Sequence, residues 1–383
     1  MIMGIDMTLT PAQQGILQLA REFTARHIIP AAGKYDETGE FPEAIIAEAL
    51  KAGLFCGGIP REFGGPGHDL LSQIIIAEEI GYGCGSLGNI LSASMPSLLV
   101  ILSVGTEAQK KMYFKRFFEG GLTGFLLTEP GAGSDAASIA TTARFDGEEW
   151  VLNGTKCFAT LCGYNRIMLI IASTDAEEGA KKSLSAFIVE KERKGLTVGS
   201  TEHKLGLRAS NSVELILKNV RLPADHLIGK VGEGLKYAMQ ALDTNRLLIA
   251  AVSVGMAQRA FDEALKYCKE YLDINGKPFA VHQSVAFKLA DMATGIEAAR
   301  QLVRSVTRLH ETGVIHTQET SRAKTFATDA AMRVSADAVS IMGSYGYSHD
   351  SVVEKIMRDV KIYQIFEGTN QIQRLIISRQ WLR

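Results

Sequence analysis

YQIFEGTNQIQR, residues Tyr363–Arg374, decides how the C-terminal part of this chain folds. Upstream of it, Val353, Ile356, Val360 and Tyr363 recur at helical spacing and place one apolar face on a helix. Downstream, Thr369 or Asn370 can cap a second helix carrying Ile372, Leu375 and Ile376. Glu367 therefore falls in the gap between two helices, beside Gly368 and in the company of Ile365 and Phe366. Apolar surroundings disfavour the charged form of a carboxylate and raise its basicity. That suits a base that must remove a weakly acidic C–H proton. On local pattern alone, an exposed helix-capping glutamate is the commoner reading.

Outward from this segment the helical pattern runs back to about residue 231. Ala257–Cys268, Gln283–Arg304 and Thr320–Met342 carry long apolar stripes with polar reverse faces. The block before it, 121–230, changes period. Trp150-Val151-Leu152, Asn153-Gly154 and Thr155-Lys156-Cys157-Phe158 read as strand, tight turn and strand, since Asn-Gly supplies the positive φ a hairpin needs. Ile167–Ala172, Leu184–Val189 and Val213–Leu217 are apolar runs of strand length with no helical period. The first block, 1–120, is helical again: Thr10-Pro11 is a start signal, Pro42 opens a run stopped by Gly53, and periodicity returns over Leu70–Ile80. The expected class is mainly α with a middle β-domain, divided at 1–120, 121–230 and 231–383. No internal repeat interrupts that order.

Composition narrows the function. With 383 residues, 46% hydrophobic and 22% charged, the chain can bury a large core. A net charge of −1 leaves no electrostatic footprint for nucleic acid or an anionic membrane. Ile90–Val104 is apolar but shorter than the roughly 20 residues of a spanning helix, and serines and Pro96 interrupt it. The opening MIMGIDMTLTPAQQ lacks a basic region followed by an apolar run, so a cytoplasmic protein is expected. Cys56, Cys84, Cys157, Cys162 and Cys268 are scattered, without metal-ligand spacing, and read as reduced thiols. No metal is expected.

A second segment carries chemistry. In LTEPGAGSD, Leu127–Asp135, Gly131 and Gly133 permit close backbone approach and Ser134 offers a hydroxyl. Alone it is as readily a turn as a cofactor loop, being neither a Walker loop nor a dinucleotide fingerprint. Together with LNGTKCFAT (Leu152–Thr160), KLGLRAS (Lys204–Ser210), LDTNR (Leu242–Arg246), HQSVAFKLADM (His282–Met292) and MRDVKIYQIFEGTNQIQRL (Met357–Leu375), it resembles the acyl-CoA dehydrogenase family over nearly the whole chain.

The resemblance implies an N-terminal helical domain, a β-barrel-like middle domain and a C-terminal four-helix bundle, assembled as a homotetramer with FAD between domains. It implies that Glu367 takes the α-proton of an acyl thioester while the flavin accepts a hydride from the β-carbon. Its backbone N–H, with a flavin hydroxyl, would polarise the thioester carbonyl. Electrons would leave through an electron-transfer flavoprotein. Carried over by position, the flavin contacts are Phe125, Leu127, Thr128, Ser134, Phe158, Thr160, Gln283, Gly343, Thr369 and Gln371. The substrate contacts are Ser134, Asp243, Arg246 and Gly368, although an Asp and Arg three apart are often only a surface ion pair. Acyl-pocket walls are expected from Ser86–Leu99 and Ala241–Ile249, with Leu91, Met95, Leu98, Leu99 and Leu242 giving an apolar lining.

Several positions depart from the family pattern. The usual flavin-stacking Trp is Phe158, and the Asn after Thr160 is Leu161. Ser340 and Ser344 replace the common Gln and Gly of the adenosine-contacting turn. The Arg-x-x-Phe-Gly signature gives way to Tyr271-Leu272-Asp273-Ile274-Asn275-Gly276. That loses a charge-assisted diphosphate contact worth about 1.5–3 kcal/mol, which Lys277 could offset. The alternative site for the base, immediately before Arg246, is Asn245, which cannot take a carbon-bound proton. Two other functions stay open: oxidation of acyl groups on a carrier protein, and a flavin-poor binding subunit.

Overall fold

The computed structural model describes residues 8–174, 183–314, 316–379 and 381–382. Seven helices come first: α1 Pro11–Phe23, α2 Ala32–Thr38, α3 Glu43–Lys51, α4 Leu70–Gly83, α5 Gly85–Ala93, α6 Met95–Val104 and α7 Glu107–Gly120. Capping boxes set two of their starts, Thr10 with Gln13 on α1 and Thr106 with Gln109 on α7. The α4 run Ile74-Ile75-Ile76-Ala77 is fully covered, because α1, α5, α8 and α9 all pack on this helix.

The stretch Gly85–Val104 reaches 20 residues with mean hydropathy 1.7, long and apolar enough to cross a membrane. It is instead 72% buried within the fold and is split into α5 and α6 at Ser94, with Pro96 in the first turn of α6.

Eight strands follow: β1 Thr123–Leu126, β2 Thr142–Phe145, β3 Glu149–Thr160, β4 Ile167–Ser173, β5 Leu184–Glu190, β6 Leu196–Thr201, β7 Ser212–Pro223 and β8 Leu227–Ile228. They form one mixed sheet in the order β6-β7-β3-β2-β4-β5-β8, with β1 parallel to β4. The turn expected at Asn153-Gly154 is absent. The strand β3 runs straight through it, and the register against β7 slips between Leu152 and Gly154. Gly154 serves this bulge at φ +152°, where a Cβ would come within 2.4 Å of the Thr141 hydroxyl. The actual β2–β3 turn is at Asp146–Glu149: Gly147 has φ +108°, and Asp146 accepts the Glu148 and Glu149 N–H groups.

Among the described residues, five α-helices follow: α8 Gly234–Glu270, α9 Gln283–His310, α10 Thr317–Tyr347, α11 Val352–Tyr363 and α12 Asn370–Arg379. At 37 residues, α8 is about 55 Å long and packs against α4, α9, α10 and α11. Its crossing with α4 is close because both are glycine there. A Cβ on Gly255 would lie 2.0 Å from the Glu78 carbonyl, and one on Gly81 would lie 2.5 Å from that of Val252.

Candidate active site

Two consecutive left-handed residues end the turn between α11 and α12, Glu367 at φ +56° and Gly368 at φ +86°. Glycine adopts this region freely, but a glutamate there costs about 1–2 kcal/mol and persists only where its surroundings hold it. Four contacts do so. The Arg246 Nε donates to the Glu367 carbonyl at 3.1 Å, and Gln373 Nε2 donates to the Glu367 and Gly368 carbonyls at 3.3 and 3.1 Å. Lys324 Nζ donates to the Gly368 carbonyl at 3.0 Å. Thr369 then caps α12, its hydroxyl accepting the Ile372 N–H. Below the turn, Tyr363 is fully buried, donates to the Gly85 carbonyl and meets Phe366 edge-on.

The Glu367 carboxylate is neither exposed nor capping. Oε1 accepts Asn245 Nδ2 at 3.0 Å, and Oε2 is covered yet has no partner among the described residues. Burial pushes this carboxyl up to about 7, opposed by the charges of Arg246 and Lys324 and by the Asn245 hydrogen bond. Asp243 and Arg246 are not a surface pair either. Both are buried and bonded at 2.5 Å, with the Thr317 hydroxyl on the second Asp243 oxygen.

A second group lies on the sheet. The Lys156 ammonium, wholly buried, donates to the Leu127 carbonyl at 3.1 Å and pairs with Glu129 at 2.7 Å. Glu129 also accepts the N–H groups of Ala140 and Thr141. The Cys157 N–H donates to the Thr128 carbonyl. These contacts tie Phe125–Thr128 to the Lys156–Thr160 end of β3. A second register slip, between Lys156 and Ala159, turns Phe158 outward at φ +50° and leaves it 60% exposed. The Thr160 hydroxyl is 3.5 Å from that of Ser212. Ser134 is exposed, and Gly131 and Gly133 face open space, with nothing within 4 Å of a built Cβ.

Gly343 interrupts α10 at φ +60°, ψ −134°, and also faces open space. Gln283 and Gln371 are exposed, and no hydrogen bond joins them or Gly343 to either group among the described residues. The segment in place of the arginine signature is a built turn. Asp273 accepts the Asn275 and Lys277 N–H groups and bonds His282 at 2.8 Å, while Tyr271 stacks on Tyr267. Lys277, the cation that could offset the lost arginine, closes that turn: its N–H meets the Asp273 carboxylate and its carbonyl accepts the Asp273 N–H.

Sequence reasoning missed Lys324, Asn370 and Gln373 as supports of the turn. The available signal was a lysine on the buried stripe Thr320, Ala323, Ala327, Ala331 of α10. It also missed the Glu129–Lys156 pair, whose partners lie 27 residues apart.

A helical domain, a mixed sheet and a helical bundle thus hold a half-buried glutamate, one carboxylate oxygen covered, on a strained inter-helix turn. The family models for the N-terminal, middle and C-terminal domains of acyl-CoA dehydrogenase match residues 10–121, 124–220 and 232–382. An acyl-CoA dehydrogenase of Bacillus subtilis is 43% identical over 98% of this chain and 99% of its own. The short-chain specific acyl-CoA dehydrogenase of Clostridium acetobutylicum is 40% identical over 99% and 100%. Butyryl-CoA dehydrogenase from Megasphaera elsdenii superposes with a TM-score of 0.95 at 38% identity, covering 99% and 100% of the two chains. The chain belongs to the acyl-CoA dehydrogenase family. It is an oxidoreductase with FAD as cofactor, acting on the α,β carbon–carbon bond of acyl-CoA. The open glycine loop, the outward Phe158 ring and the unpartnered Glu367 oxygen fit a flavin and a thioester.

Proposed function

We propose that Glu367 is the catalytic base of a short-chain acyl-CoA dehydrogenase that passes its electrons to an electron-transfer flavoprotein. The observation that carries the assignment is the covered, unpartnered Glu367 Oε2, on a carboxyl raised to about 7. A base of that strength is mostly ionised just above neutrality yet retains a high proton affinity. Asn245 fixes the carboxylate through Oε1 and leaves Oε2 to take the α-proton. The Glu367 N–H meets no described acceptor and is available to the thioester carbonyl, where enolate charge develops. FAD, when bound, supplies the acceptor for the hydride leaving the β-carbon. Phe125, Leu127, Thr128 and Ser134 would hold it with Phe158 and Thr160, and Gln283, Gly343, Thr369 and Gln371 would meet its remainder.

Support for a short acyl chain comes from relatives named for short-chain and butyryl substrates and from the close approach of α5 to α8. Gly88 brings α5 against Val252 of α8, where a Cβ would stand 2.5 Å from a Val252 methyl. Domain limits at 120 and 230 belong to the same reading, supported by the turns at Gly121 and Gly232. So does a cytoplasmic homotetramer, supported by unpaired cysteines and by exposed Tyr271, Leu272, Ile274 and Phe287.

Glu367→Gln tests the assignment. The variant should purify yellow and bind butyryl-CoA, but lose at least about 10³-fold in flavin bleaching by that substrate. Bleaching within tenfold of wild type refutes the assignment.

A further inference from the structure

Lys324 lies on α10 with no exposed surface, among the largest fully buried side chains of the protein. A buried ammonium is unfavourable unless its surroundings answer it. Its two acceptors are neutral: the Gly368 carbonyl at 3.0 Å and Asn370 Oδ1 at 2.8 Å. Both belong to the segment that immediately follows Glu367. Asn370 is held in turn by Thr328 and Asp329 of α10, and Asp329 pairs with Arg374 of α12. Packing does not require a lysine here, since a methionine has nearly the same length and no charge to bury.

We propose that Lys324 is the positioning residue of the base, holding the left-handed turn through Gly368 and Asn370 and favouring the ionised form of Glu367. The inference rests on Glu367 being the base. The charged groups bearing on Lys324 come from each element around it: Glu367 on the turn, Arg246 on α8, Asp329 on its own helix and Arg374 on α12. Only Glu367 and Asp329 favour its charge, and Asp329 is already paired with Arg374. Burial lowers Lys324 to about 7, close to the value to which burial raises Glu367. Ionising the base is therefore coupled to keeping this lysine charged.

The sign of the test follows. Removing a cation that lowers the carboxyl's proton affinity raises it, so the acidic limb of the kcat–pH profile must move to higher pH. In the FAD-loaded enzyme, Lys324→Met should shift that limb up by roughly one unit and lower kcat at pH 7 about fivefold. Activity should recover at pH 9, with KM and the flavin spectrum unchanged within twofold. Lys324→Gln keeps a donor for the Gly368 carbonyl without the charge and should show the same shift with a smaller loss at the plateau. A limb that stays in place overturns the proposal, as does a loss of kcat independent of pH. Should neither variant accumulate as yellow holoenzyme, Asn370→Ala, which removes one acceptor of the ammonium, must move the limb the same way. An unmoved limb there is equally fatal. An active Glu367→Gln enzyme would instead remove the base assignment itself, so the two failures are distinct.

Discussion

Glu367 combines two unfavourable features, a left-handed backbone and a covered carboxylate, and the residues around it offset both. Arg246, Gln373 and Lys324 bond the turn's carbonyls, while Asn245 bonds the side chain. The cost to stability has a definite sign. The folded-state value, about 7, lies above the unfolded one of 4.5, so the group costs stability once pH climbs past the unfolded value, and the full cost is reached above the folded one. At 1.36 kcal/mol per unit, that is up to about 3 kcal/mol. Glu367→Gln should therefore raise Tm by a few degrees at pH 8 and change it little at pH 4.5, measured by calorimetry of the holoenzyme. Equal effects at both pH values would contradict the buried-anion reading.

The elements show why part of the site was legible in the chain and part was not. The α11–α12 gap, the long helices and the strands β4, β5 and β7 are periodic or continuous apolar runs, and local pattern suffices for them. Asn153-Gly154 misled because a turn dipeptide and a bulge demand the same backbone freedom. Which one forms depends on β7 running beside both halves of β3, a contact made some 65 residues away. Asp243 and Arg246 look like a surface pair in sequence, and only the bundle buries them. The Glu129–Lys156 pair was likewise invisible, yet it anchors the 127–128 loop to β3. Lys156→Met leaves Glu129 buried without its cation, a change that costs 3–5 kcal/mol in comparable sites. FAD should then dissociate at least tenfold more readily, measured by flavin fluorescence release. FAD retention equal to wild type would show that this loop does not hold the flavin.

At the scale of the molecule, two of the departures from the family pattern, Tyr271–Gly276 and the serines beside the Gly343 kink, lie near one another, since Tyr267 stacks on both Tyr271 and Tyr345, while Phe158 and Leu161 lie at the end of β3. None of them touches Glu367 or the residues that hold its turn, so under the proposed assignment they bear on cofactor binding and not on proton removal. Tyr271 and Leu272 are about half exposed, at 52% and 53%, so a longer side chain can reach solvent from either, at Tyr271 with loss of its stacking on Tyr267. If the flavin diphosphate lies there, Tyr271→Arg or Leu272→Arg should tighten FAD about tenfold, with the gain shrinking as salt rises. Titration of the apoprotein with FAD measures this directly. Unchanged affinity in both variants would place the diphosphate elsewhere.

The central claim, that Glu367 removes the α-proton, can be separated from oxidation. An acyl-CoA analogue with sulfur in place of the β-carbon has no β-hydride to give but retains its α-protons. In D₂O, the wild-type holoenzyme should exchange those protons, followed by NMR of the analogue, and Glu367→Gln should bind the analogue with similar affinity without exchanging them. Exchange by the variant at a rate within tenfold of wild type would contradict the assignment of the base.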